Sequence, residues 1–144
     1  MARTTGDIVI DAPPSRIMDV IADLEAYPDW ATGVTAAEVQ STSAGGRPDR
    51  VRMTLNSPPI LDTYTLAYVW HSPTRVTWSM AETGSVLTQV DGAYTLEPLA
   101  TGTRVVYQLE VDVLIPLLGK LKRKAEKVII DTALAGLKKH VEGA

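Results

Sequence analysis

From Gly33 to Val113 apolar and polar residues alternate with period two, and from Pro116 to Val141 they recur every three or four positions. The first pattern predicts sheet strands with one buried face, and the second predicts one long helix. Val34 to Ser41, Val51 to Asn56, Ile60 to Trp70, Val76 to Met80, Leu87 to Glu97 and Arg104 to Val113 read as successive strands. Turn-forming stretches separate them: Ser43-Ala44-Gly45-Gly46, Ser57-Pro58-Pro59, His71-Ser72-Pro73, Glu82-Thr83-Gly84 and Pro98 to Gly102. In the last strand Val105, Tyr107, Leu109, Val111 and Val113 oppose Arg104, Gln108, Glu110 and Asp112, the cleanest in-and-out alternation of the chain. Gly92, inside a strand, predicts a bulge or a tight bend. Upstream, Ile8-Val9-Ile10 forms a short strand that Pro13-Pro14 ends. Ile17, Val20, Ile21 and Leu24 then predict a helix of three turns up to Tyr27-Pro28, with a further turn beginning at Pro28-Asp29-Trp30.

The terminal helix carries two apolar rows. Leu114, Leu117, Leu118, Leu121, Ala125, Val128 and Thr132 make one, and Ile130, Leu134, Leu137 and Val141 make another on nearly the opposite side. One sheet covers one face, so something else must cover the second row: the first amphipathic helix, or a symmetric copy of the chain. Four such side chains contribute roughly 6–12 kcal/mol when buried. Cover within the chain, and hence a monomer, is the expectation; a dimer is the other route. Strand, short helices, a long antiparallel run and a terminal helix give an α+β order, a curved sheet packed around the helix.

Composition narrows the function. At 144 residues, 45% hydrophobic and 22% charged, the chain is expected to form one domain, 1–144, able to bury a core and a modest pocket. It has no cysteine, which excludes disulfides, thiolate catalysis and cysteine-ligated metals. The two histidines fall in a turn, His71, and at a helix end, His140, so no metal site and no cofactor is expected. A net charge of −3 and a pI near 5.3 argue against nucleic acid. No apolar run has the ~18 residues of a membrane span, and the first residues lack a secretory core, so a cytoplasmic location is expected. Lys120, Lys122, Arg123, Lys124 and Lys127 cluster on the helix, either as a solvated face or as a transient contact with an acidic membrane surface.

The run from Ala12 to Trp30, APPSRIMDVIADLEAYPDW, resembles the opening of START-like helix-grip proteins. Asp91-Gly92-Ala93-Tyr94-Thr95-Leu96-Glu97-Pro98, Gly102-Thr103-Arg104-Val105-Val106-Tyr107 and Ala133 to Lys139 are similar to the polyketide cyclase/dehydrase and lipid-transport branch of that SRPBCC-type superfamily. The resemblance covers nearly the whole chain and implies a helix-grip fold: about seven curved strands enclosing an apolar cavity beneath the terminal helix. It brings no catalytic set with it.

A cavity so placed nominates Trp30, Met53, Tyr64, Tyr68, Trp78, Met80, Tyr94, Tyr107, Leu109, Leu118 and Leu121 as lining, although an inward aromatic packs a core equally well. The chain has no Phe beside five Tyr and three Trp, so every large aromatic carries a polar tip. Asp62, Glu82, Glu110 and Asp112 read as edge or outward carboxylates, and Arg52 and Arg104 as outward cations. No nucleophile elbow, phosphate loop or paired-carboxylate spacing appears. The leading expectation is a carrier or presenter of a hydrophobic small molecule: a lipid, a quinone or a polyketide-like intermediate. A cyclase or dehydrase, with Tyr107 or Tyr64 polarising a carbonyl, is the alternative, and a protein-binding groove is the third.

Overall fold

The computed structural model describes residues 4–31, 33–57, 60–113 and 119–143. Strand β1 (Thr4–Ile10) leads into α1 (Pro14–Ala22), a 3-10 turn at Leu24–Ala26 and α2 (Tyr27–Trp30). Six strands follow: β2 (Val34–Thr42), β3 (Pro48–Ser57), β4 (Ile60–Ser72), β5 (Arg75–Glu82), β6 (Leu87–Pro98) and β7 (Thr103–Val113), then α3 (Gly119–Gly143). All seven strands form one antiparallel sheet in the order β1-β7-β6-β5-β4-β3-β2. The meander from β2 to β7 is sequential, and only β1 reaches across the chain, pairing with β7 from Thr4↔Leu109 to Ile10↔Thr103. The sheet curves around α3, as the alternation and the resemblance implied.

Two local expectations change. The first helix is shorter than three turns: it ends at Ala22, because Asp23 leaves helical geometry (φ −84°, ψ 70°), and Leu24 reaches the core from the 3-10 turn instead. Proline at the start of α2 then begins the next helical turn, where its missing N–H has no partner to lose. Gly92 sits in unbroken register opposite both Trp78 and Leu109, with no bulge; the irregularity of β6 lies between Leu87 and Gln89.

The larger correction concerns α3. Its buried stripe runs Lys122, Glu126, Ile130, Leu134, Leu137, Val141, at spacings of four, four, four, three and four, with Ala125 beside it. Ile130, Leu134, Leu137 and Val141 are therefore not a second face. They continue one stripe whose first two members are charged. Val128 is 47% exposed, so the first apolar row does not persist past Ala125; Leu114, Leu117, Leu118 and the Leu121 side chain lie outside the described residues. The cover is within the chain. A Cβ on Gly6 of β1 would stand 2.5 Å from Ile130 Cγ2 and 3.6 Å from Leu134 Cδ1, and one on Gly136 would stand 2.1 Å from the Trp30 carbonyl oxygen. Glycine at these two points lets α3 seat directly on β1 and on the end of α2.

The charged start of the stripe is satisfied locally. Glu126, 2% exposed, accepts from Thr4 Oγ1 (2.5 Å) and from the backbone N–H of Val111 (2.8 Å), just past the last β1–β7 pair. Lys122 pairs with Asp112 (2.9 Å) and Glu110 (3.2 Å). Burial works against its charge, but hydrogen bonds to the two carboxylates hold its pKa above the usual lysine value. Glu110 and Asp112 are thus anchors for α3 rather than free solubilising groups, and Lys122 does not belong to an open cationic face. Arg123 and Lys124 are both exposed, while Lys127 pairs with Asp131 (3.0 Å) and the Lys120 side chain lies outside the described residues.

Candidate functional site

Between the concave face of the sheet and α3 lies a cavity of about 80 Å³. Strand alternation aims Met53 and Leu55 of β3, Tyr64, Leu66 and Tyr68 of β4, Trp78 of β5, Tyr94 of β6 and Tyr107, Leu109 and Val111 of β7 into it. Leu87 and Val90 close one side, Tyr27, Trp30, Ala31 and Val34 another, and Ile129 and Ala133 of α3 form the roof. Of the residues nominated from the sequence, Trp30, Met53, Tyr64, Tyr68, Trp78, Tyr94, Tyr107 and Leu109 stand together on this wall. Met80 does not: it is half-buried beside the core, opposite Leu66 at a register shift and beyond Ser79, where β5 stops pairing with β6. Leu118 and the Leu121 side chain lie outside the described residues. Ile129 and Ala133 were missed because the helix was phased on Val128 and Thr132, one position away.

The aromatic rings form a connected array. Trp78 lies 5.5 Å from Tyr68, 5.3 Å from Tyr94 and 5.6 Å from Tyr107, centroid to centroid, and Tyr94 and Tyr107 are 4.6 Å apart. Such tilted pairs add modestly to what area burial contributes. Gly92 makes the array possible: a Cβ there would stand 2.3 Å from Trp78 Cε2 and Cζ2. That close approach, not a bend, is why glycine interrupts an otherwise apolar strand.

Burial pushes the phenols of Tyr27, Tyr64, Tyr68, Tyr94 and Tyr107 up from their ordinary pKa, and several raise one another further. They remain protonated throughout the physiological range, able to hydrogen-bond a ligand but not to act as phenolate bases. Tyr27 is already committed, donating to the Ile21 carbonyl at 2.5 Å. Among the described residues no group of three His, Cys, Asp or Glu is placed to hold a metal ion. His71 meets Thr77 Oγ1 at 2.7 Å on the surface, and half-buried His140 lies 6.3 Å from the Trp30 ring.

Asp62 departs from its expected surface role. It is 8% exposed, and its carboxylate accepts backbone N–H bonds from Thr63, Ser85, Val86 and Leu87 at 2.8–2.9 Å. Burial alone would raise its pKa, but these four bonds outweigh it and hold the carboxyl below the usual range. β5 and β6 pair only from Arg75↔Thr95 to Ser79↔Asp91, and Asp62 ties β4 to β6 across the gap beyond, fixing the Leu87 part of the wall. The signal for it was its parity with Tyr64 on an inward face.

The family model for "Polyketide cyclase / dehydrase and lipid transport" matches residues 1–142. The chain belongs to this family. Its backbone is similar to that of a START superfamily protein from Mycobacterium smegmatis, with a TM-score of 0.92 and 19% identity over 99% of both chains. A protein from Thermus thermophilus gives 0.80 and 25% identity over 98% of this chain and 97% of that one. The Zhui aromatase/cyclase from Streptomyces gives 0.75 and 15% identity over 97% and 93%. The first and third, at such identities, show the fold alone. No curated protein matches the sequence. Among the described residues, no helix of this polyketide cyclase/dehydrase and lipid-transport family member is long and apolar enough to cross a membrane.

Proposed function

We propose that the chain binds a hydrophobic small molecule between the sheet and α3 and carries or presents it. One observation carries this reading: a cavity walled by aliphatic and aromatic side chains from β3 to β7, α2 and α3, polar only at phenol and indole tips. Tyrosines from three strands bring hydroxyls to this wall, and each can hydrogen-bond a ligand. The family, described by both cyclisation and lipid transport, supports the same class of ligand. With an open volume of about 80 Å³, the cavity seats a small ring or a short chain, and a larger ligand displaces the surrounding rings.

Native mass spectrometry of freshly purified full-length chain tests the reading. A co-purified neutral mass, released on denaturation and extractable into organic solvent, is expected. A spectrum of the bare polypeptide, together with no uptake of any hydrophobic probe, overturns it. A second reading, positional catalysis of the cyclase type, is favoured by the grouping of Tyr68, Tyr94 and Tyr107 phenols around one space, where protonated donors polarise a ligand carbonyl. Product formation from a linear poly-β-ketone, lost in Tyr107→Phe with binding retained, separates catalysis from carriage.

A further inference from the structure

Ligand binding between the sheet and α3 requires a way in. The free space is about 80 Å³, against roughly 300–1,000 Å³ for pockets that hold small molecules, so a larger ligand enters only if the wall parts. The sheet is a poor place for that. Its strands are paired in series, and where β5 stops pairing with β6 beyond Ser79 and Asp91, the Asp62 carboxylate closes the gap with bonds to Ser85, Val86 and Leu87.

The roof is held in two unlike ways. From residue 130 on, the buried stripe of α3 is aliphatic, with Ile130, Leu134, Leu137 and Val141 each 2% exposed or less. Gly6 and Gly136 let this half seat directly on β1 and α2, and lifting it would return all of that apolar surface to water. Before residue 130 the buried members among the described residues are Lys122, Ala125 and Glu126. Their ties are polar: Lys122 to Glu110 and Asp112 of β7, Glu126 to Thr4 Oγ1 of β1 and to the Val111 N–H. Groups of this kind regain hydration as they separate, so parting them costs far less than breaking the same bonds in a dry medium. The junction of the two halves, Val128-Ile129-Ile130, is a run of three β-branched residues and hence of weak helix formers. Ile129, which roofs the cavity, stands one turn beyond Glu126.

We propose that residues 119–128 of α3 are the door of the cavity, which opens by local unfolding up to the junction while the aliphatic half stays seated, and that Glu126 and Lys122 are its latch. This rests on the ligand-binding reading and adds the route to it. Ligand enters and leaves beneath the first turns of α3, so loosening the latch speeds both directions alike. Glu126 is a positioning residue here: it holds the roof and touches no ligand.

Two arms test this on the full chain. In hydrogen exchange followed by mass spectrometry, the amides of residues 119–128 are expected to exchange at least about tenfold faster than those of residues 130–141, a readout that needs no variant. In stopped-flow fluorescence with N-phenyl-1-naphthylamine, a neutral hydrophobic probe, Glu126→Gln is expected to raise the association and dissociation rates together, each roughly three- to tenfold. Kd then stays within about twofold, because a door changes rates and a contact changes affinity. Lys122→Gln, which loses both ion pairs, acts in the same direction and serves if Glu126→Gln does not fold. Lys138→Gln, which removes polar ties from the seated half, leaves both rates within about twofold. Uniform exchange along α3, unchanged rates in a folded latch variant, or a weaker Kd at an unchanged association rate each overturn the door while leaving ligand binding intact. Equal acceleration by Lys138→Gln overturns it too, since the seated half would then open as well. If the probe does not bind at all, the ligand-binding reading falls, and the door with it.

Discussion

Replacing Gly92 by Ala tests whether the ring array depends on one missing methyl. The added Cβ would stand 2.3 Å from Trp78 Cε2 and Cζ2 and 2.6 Å from Nε1, where ordinary contact begins near 3.4 Å. The indole must retreat by about 1.1 Å, the difference between those distances. Behind it stand Tyr68, Tyr94 and Tyr107, within 5.6 Å, so the displacement passes to the whole cavity wall. Overpacking of this kind costs about 1–3 kcal/mol, and the backbone entropy gained by losing a strand glycine returns about 0.5–1 kcal/mol. A net loss of about 1 kcal/mol is expected, a fall in Tm of about 2–4 °C for a chain of this length. Urea melts followed by circular dichroism of wild type, Gly92→Ala, Trp78→Leu and the double variant close a thermodynamic cycle. With the indole gone, Gly92→Ala becomes stabilising by about 0.5–1 kcal/mol, giving a coupling of about 1–3 kcal/mol. Gly45→Ala, with nothing within 4 Å, is the control and changes stability by less than about 0.5 kcal/mol. Equal costs of Gly92→Ala in both backgrounds would refute the steric account.

Leu134→Asp removes a side chain 2% exposed and leaves a carboxylate against β1; the truncation alone costs about 2–5 kcal/mol of a total near 5–15. Loss of the cooperative melt is expected, and a folded variant with unchanged Tm that loses a dimer in sedimentation would make the row an oligomer interface. The Asp62 carboxyl titrates below its unfolded value, so its contribution is complete above about pH 4 and fades as pH falls through the depressed folded value. Asp62→Asn, which keeps one acceptor oxygen for four N–H groups, should lower Tm clearly at pH 7 and progressively less towards pH 3; a constant gap across that range would sink the assignment.

Much of this architecture was legible because sheet residues obey a period of two whatever their chemistry. Val105, Tyr107, Leu109 and Val111 announced the face that β7 buries, and the same rule brought Tyr64, Tyr68, Trp78 and Tyr94 to one wall. What escaped was polar burial. Lys122 and Glu126 occupy the helix stripe at the correct spacing, but a hydropathy pattern assigns every charge to water, so the stripe was phased on Val128 instead. Their partners, Asp112, Glu110, Thr4 and the Val111 N–H, become visible only once β1, β7 and α3 are assembled. Asp62 was misjudged for a related reason: three of its four partners are amides more than twenty positions away, and backbone donors leave no trace in side-chain composition. Gly92 was noticed, but its cause lay across the strand in Trp78, which a local rule of bulges does not consult.

The bond from Thr4 to Glu126 spans 122 positions, and the same seam is sewn by Asp11 to Glu142, Arg16 to the Val141 carbonyl and Lys138 to the Val9 carbonyl. A chain emerging from the ribosome makes β1 first and can give it no neighbour until β7 appears about a hundred residues later. The β2–β7 meander can zip up hairpin by hairpin during synthesis, while β1 waits for β7 and its seat against α3. The cavity is thus roofed only once α3 has been made. Closure of the fold is a late step, and a truncation that removes α3 would abolish it rather than merely slow it.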